Sequence, residues 1–158
     1  MAQNTFHVAL YVDDIDTAVD RYRRILGIEP AKVRHDYAKF EIADPPVILS
    51  LNRGGTPGTL PHLGIRYPGT ADVASETIRT KNAGVDLFRQ ENATCCYAKA
   101  DKFWVRDADH VPWEHYTVLA DADVDTAADV NLRAFLGQAT ATATPAPKAD
   151  CCAPAAPR

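Results

Sequence analysis

One order of elements occurs twice in this chain, and that repeat restricts the fold more than any other feature. His7-Val8-Ala9-Leu10-Tyr11-Val12 reads as a strand, followed by a helix with Asp13 or Asp14 as N-cap. The helix has apolar side chains at Ile15, Ala18, Val19, Tyr22, Ile25 and Leu26, and Gly27 ends it. About 55 residues on, His62-Leu63-Gly64-Ile65-Arg66-Tyr67 is again a strand. A polar-capped helix from about Ala71 to Asn82 follows, closed by Gly84. Each half then supplies three more strands. In the first they fall near Lys32 to Arg34, Tyr37 to Ile42 and Val47 to Asn52. In the second they are Val85 to Gln90, Phe103 to Arg106 and Pro112 to Val118, with a loop from about Asn92 to Asp101 between the first two. Duplicated units of this length, with helix and strand together, predict an α+β fold. Its two βαβββ modules, residues 4–53 and 60–119, pair into a curled mixed sheet around a shared cleft, with Gly54 to Gly58 in the connection between them.

Composition changes near Ala120. Residues 1–119 hold the large apolar side chains of one domain, whereas residues 120–158 are rich in Ala, Thr, Asp and Pro and read as a flexible tail with a short helix around Ala127 to Leu136. The chain of 158 residues has a formal charge of -4 with both signs interspersed, so nothing in its electrostatics calls for nucleic acid or an anionic membrane. No apolar run approaches the roughly 18 residues of a membrane span. These features predict a cytoplasmic monomer or homodimer.

The four cysteines come as adjacent pairs, Cys95-Cys96 and Cys151-Cys152. Consecutive Cα atoms lie about 3.8 Å apart, closer than the roughly 4.4 to 6.8 Å of an ordinary disulfide. Neither pair is therefore expected to be an internal staple. Two neighbouring thiolates instead chelate a soft centre at little loop-closure cost. Thiophilic metals and trivalent arsenicals meet that description.

Strand alternation decides which other side chains can meet. It puts Val8, Leu10 and Val12 on one face and His7, Ala9 and Tyr11 on the other. His62 shares a face with Gly64, and Glu114 with Tyr116. Modules related by a pseudo-twofold axis can then bring His7, His62 and Glu114 together. Two histidines and a carboxylate leave open positions on iron(II) for dioxygen and substrate. Any single histidine among the five is more commonly a satisfied or solvated side chain. His35, His110 and His115 read that way, as surface groups or as groups behind the ligands. Trp104 and Trp113 read as core aromatics.

Duplicated modules with a leading strand histidine in each, and a carboxylate on the last strand, resemble the vicinal oxygen chelate superfamily. A narrower resemblance rests on Thr94-Cys95-Cys96-Tyr97-Ala98-Lys99, Asp101-Lys102-Phe103-Trp104-Val105 and Pro112-Trp113-Glu114. It extends to Pro30-Ala31-Lys32-Val33-Arg34, Asp36-Tyr37-Ala38-Lys39-Phe40 and Leu60-Pro61-His62-Leu63-Gly64-Ile65. These stretches resemble the iron-dependent carbon-arsenic lyases and the related cadmium-induced proteins. The resemblance implies Fe(II) held by His7, His62 and Glu114, and a trivalent organoarsenical, methylarsenite or a reduced aromatic arsenical, held by Cys95 and Cys96. Dioxygen would be the co-substrate and arsenite a product. Tyr97 and Lys102 join the substrate-binding candidates, with Lys99 or Lys102 as a cation that favours thiolate. The fourth ligand position of glyoxalases falls near Leu49 to Leu51, where no histidine or carboxylate stands. The competing expectation is a stress protein that sequesters cadmium or arsenite without catalysis.

Overall fold

The structure, a computed structural model, describes residues 3–125 and 129–137. Eight strands and three helices follow in the order β1 (Thr5–Tyr11), α1 (Ile15–Leu26), β2 (Lys32–Val33), β3 (Tyr37–Ile42), β4 (Val47–Asn52), β5 (Leu63–Arg66), α2 (Thr70–Asn82), β6 (Phe88–Cys95), β7 (Ala98–Arg106), β8 (Pro112–Asp121) and α3 (Val130–Phe135). The strands form one mixed sheet in the order β2-β3-β4-β1-β5-β8-β7-β6. The order reads as two copies of one half-sheet joined at their first strands. β1 runs parallel to β4, β5 runs parallel to β8, and β1 and β5 meet antiparallel at the centre.

Local chemistry explains the first module. Asp14 caps α1 by accepting a 2.8 Å hydrogen bond from the Thr17 backbone N–H, and Gly27 closes the helix in the left-handed region at φ 69°. Ile15, Ala18, Val19, Tyr22 and Leu26 of α1 pack with Leu10, Val12, Ala38, Phe40 and Leu51 of the sheet. Full burial of one aliphatic side chain, as at Ile15, contributes about 1.5–3 kcal/mol. Ile25, expected on this face, is exposed. The opposite face of β1, with His7, Ala9 and Tyr11 all buried, is left for the cleft.

The second module departs from expectation in two places. α2 is not capped by a polar side chain: its N-cap is Gly69, which makes no side-chain hydrogen bond. The loop expected from Asn92 to Asp101 is instead most of a hairpin, because β6 reaches Cys95 and β7 begins at Ala98. A bulge between Gln90 and Ala93 interrupts the pairing, and there the Asn92 N–H donates to Asp101 Oδ1 at 2.8 Å. Asp101 thus satisfies the backbone that the bulge frees.

Beyond β8, Leu132 and Leu136 are buried against Trp104, with Phe88 and Phe135 beside them. Cys151 and Cys152 lie outside the described residues. Among the described residues no helix is long and apolar enough to cross a membrane.

Candidate metal centre and thiol pair

The three central strands converge on a buried cluster. His7 on β1, His62 immediately before β5 and Glu114 on β8 each offer one ligand atom, and these atoms all lie within 4.8 Å of one another. Glu114 Oε2 is 3.9 Å from His7 Nδ1 and 3.5 Å from His62 Nε2. Gly64 makes that approach possible. It pairs with Glu114 across the β5–β8 ladder, and a Cβ there would sit 2.7 Å from the Glu114 carbonyl oxygen.

Charge at the cluster is settled by Lys102. Burial pushes the Glu114 carboxyl up, but Lys102, hydrogen-bonded at 2.8 Å, and the neighbouring imidazoles outweigh it and leave the group at about 2. Burial lowers His7 to about 3, with His62 adding to the effect, and burial likewise lowers His62. Both rings are therefore neutral near pH 7, as metal coordination requires, and Lys102 is the cation that keeps Glu114 ionised. Lys102 also lies over the Trp104 ring at 5.6 Å, while Trp104 meets the edge of His62 at 5.3 Å. Trp104 is a core aromatic that also lines the cleft.

The donor set fits a divalent cation. His7 Nε2 is held by Ser50 Oγ at 2.9 Å, while His7 Nδ1 is buried with no hydrogen-bond partner among the described residues. A buried imidazole nitrogen turned toward a carboxylate and a second imidazole is what a metal ion would satisfy.

Cys95 and Cys96 line the same cleft as His7, His62 and Glu114. They pack against Tyr11, which shares the inward face of β1 with His7. Gly55 permits this packing, since a Cβ there would collide with the Tyr11 ring. The two Sγ atoms are 3.2 Å apart.

The turn that carries the thiols is tightly constrained. Cys95 pairs with Ala98, leaving Cys96 and Tyr97 as a two-residue connection with φ values of 52° and 59°. Positive φ at both positions is the type I′ hairpin geometry, usually made by Asn-Gly. Non-glycine residues there cost on the order of 1–2 kcal/mol each, so the surroundings must hold them. The Tyr97 hydroxyl donates to Asp36 at 2.7 Å, Lys32 donates to the Tyr97 carbonyl at 2.9 Å, and the Cys96 N–H donates to Asp125 at 2.7 Å. Arg34 stacks over the Tyr97 ring. The first module's β2–β3 edge thus clamps the second module's hairpin.

Of the remaining histidines, His35 and His110 are exposed. His115 faces away from the cleft, as alternation predicts, yet it is buried: Tyr67 Oη lies 2.8 Å from its Nδ1, and Phe103 stacks on it at 4.6 Å. Trp113 is half-buried against Phe6 rather than fully in the core. Sequence reasoning missed Ser50, Lys32 and Asp36 as parts of the site. The Cys-Cys-Tyr turn could have pointed to the last two, since it lacks the residues that make such a turn without support.

The sequence profile of the glyoxalase/bleomycin resistance protein/dioxygenase superfamily matches residues 5–115. The chain belongs to that superfamily. It is 43% identical over 117 residues to the cadmium-induced protein CadI of Mycobacterium tuberculosis, covering 73% of this chain and 77% of that one. It is 38% identical over 147 residues to the trivalent organoarsenical cleaving enzyme of Thermomonospora curvata, covering 92% of this chain and 97% of that one. Among solved structures, the Mn(II)-bound glyoxalase of Novosphingobium aromaticivorans superposes with a TM-score of 0.55 at 19% identity, covering 77% of this chain and 41% of that one. An extradiol ring-cleaving dioxygenase from B. fuscum gives a TM-score of 0.55 at 16% identity, covering 78% and 34%. These superpositions show a shared fold, which by itself assigns no activity.

Proposed function

We propose that this protein is an Fe(II)-dependent dioxygenase that cleaves the carbon-arsenic bond of trivalent organoarsenicals, methylarsenite or reduced aromatic arsenicals, and releases arsenite. The observation that carries the reading is one cleft lined both by a hard His7-His62-Glu114 donor set and by a soft Cys95-Cys96 pair. Iron(II), when bound, supplies the capacity to activate dioxygen at positions that three protein ligands leave open.

The chain's own residues do the rest. Cys95 and Cys96, as thiolates, hold arsenic through two soft ligands, so its remaining carbon substituent is fixed in the cleft. Orientation of that bond toward the donor set removes much of the entropic cost of reaction. The Asp36 and Lys32 contacts to Tyr97 keep the thiols from swinging away. Lys102 holds Glu114 as a carboxylate, and the Trp104 side chain shields this buried ion pair from water.

A sequestering protein needs the thiols but gives the buried triad no role, which favours the enzyme. The test is arsenite release from methylarsenite by reduced, iron(II)-loaded protein, in air and under argon. Release in air alone supports the proposal. Tight arsenical binding with no release under either gas would leave the sequestering reading in its place.

A further inference from the structure

Pairing registers let the two modules be superposed residue by residue. In the second module the strand two residues past His62 pairs at Gly64 with Glu114. In the first module the strand two residues past His7 pairs at Ala9 with Ser50. Ser50 is therefore the internal counterpart of the carboxylate ligand. The next strand out continues the match: Trp104 pairs with Glu114 and Lys102 with Tyr116, while Lys39 pairs with Ser50 and Tyr37 with Asn52. Where one module has the ionic couple Glu114–Lys102, its twin has the neutral positions Ser50 and Tyr37. Both halves of the ion pair are exchanged together, as expected if a lone buried charge is too costly to leave behind.

We infer that Ser50 occupies a surrendered fourth-ligand position and acts as a positioning residue, holding His7 through Nε2 so that Nδ1 faces the metal while the fourth coordination position stays open to ligands from outside the protein. This inference rests on the reading of His7, His62 and Glu114 as metal ligands. Ser50 is 1% exposed, and its Oγ lies 2.9 Å from His7 Nε2. Asn52 Nδ2 donates to the same oxygen at 3.3 Å, and the second lone pair of that oxygen is there to accept from an Nε2–H. Hydrogen on Nε2 leaves the lone pair on Nδ1, the atom that faces Glu114 Oε2. A partner on the far nitrogen of a ligating histidine fixes tautomer and ring orientation, and its removal typically costs about 10–100-fold in metal affinity.

The experiment measures anaerobic Fe(II) affinity of the full chain by competition with a chromophoric chelator, after thermal melting of each metal-free variant. Ser50→Ala should weaken binding about 10–100-fold, and Ser50→Thr, which keeps the hydroxyl, should stay within a few-fold of wild type. Ser50→Glu restores a carboxylate at the symmetric position. It should bind Fe(II) at least as tightly as wild type, and its Co(II) complex should show an absorption spectrum changed by the added ligand. Wild-type affinity in Ser50→Ala, or loss of metal binding in a folded Ser50→Glu, would overturn the inference. If wild type itself binds no metal, the metal-site reading fails first and this inference with it.

Discussion

The two modules have the same order of elements and differ where the chemistry is. In the first, β2 is a two-residue strand and β4 presents a serine to the cleft; in the second, β6 is eight residues long and β8 presents a glutamate. The long hairpin of the second module carries the thiols over the cleft, and the short β2–β3 edge of the first receives it through Lys32, Arg34 and Asp36. A symmetric frame supplies two equivalent histidine positions at its axis, and divergence of the arms supplies one charge and one soft site. Duplication thus accounts for the paired histidines, and asymmetry for the carboxylate and the thiols beside them.

Removing the asymmetry at the hairpin should have the largest effect on turnover. Cys96→Ser replaces one soft ligand with a hard hydroxyl and should weaken arsenical binding by about 100-fold or more. Arsenite release should disappear while Fe(II) affinity is unchanged. Tryptophan quenching under reducing conditions, beside chelator competition, reads both.

Removing the charge difference more gently tests the Glu114–Lys102 couple. Lys102→Met leaves Glu114 buried without its cation and should destabilise the metal-free protein by about 3–5 kcal/mol. Added divalent metal should recover much of the loss, because a bound cation takes over the role of Lys102. Urea melts with and without metal measure this. Equal destabilisation in both conditions would mean that the ion pair serves the core alone.

Loosening the clamp between modules should cost less. Asp36→Ala leaves the buried Tyr97 hydroxyl unpaired and should cost about 1–3 kcal/mol. It should raise KM for the arsenical more than it lowers kcat, since the thiols lose their fixed approach while the metal ligands stay in place. The smallest effect belongs to truncation after Gln138, which removes Cys151 and Cys152. With reductant present, turnover should change by less than about two-fold, on the order of 0.5 kcal/mol, because Cys95 and Cys96 keep both soft ligands in place.

Much of this asymmetry was invisible in the sequence, and the reason is physical. Alternation along a single strand placed His7 and Tyr11 on one face, and repetition at His62 pointed to the convergence at Glu114, because both signals are local. The helix face of α1 was legible for the same reason, apart from Ile25, whose spacing fits the stripe but whose side chain falls at its exposed edge. The hairpin was misread because Cys96 and Tyr97 are poor turn formers that rely on Asp36, Lys32 and Asp125, partners 29 to 65 residues away in sequence. Lys102 stood out in the sequence as a cation for the thiols, but its hydrogen bond to Glu114, like that of Ser50 to His7, depends on how strands assemble, which no single strand's pattern specifies.

The central claim is that metal and arsenical occupy two distinct parts of one cleft. Glu114→Ala tests it most directly, because Glu114 is the only carboxylate of the triad and belongs to β8, while the thiols belong to the β6–β7 hairpin. The measurement is arsenical binding and arsenite release by the same reduced, folded variant at fixed iron. The proposal predicts near wild-type binding of methylarsenite and no release of arsenite. Undiminished release would contradict the metal site, and loss of binding together with release would contradict the separation of the two sites.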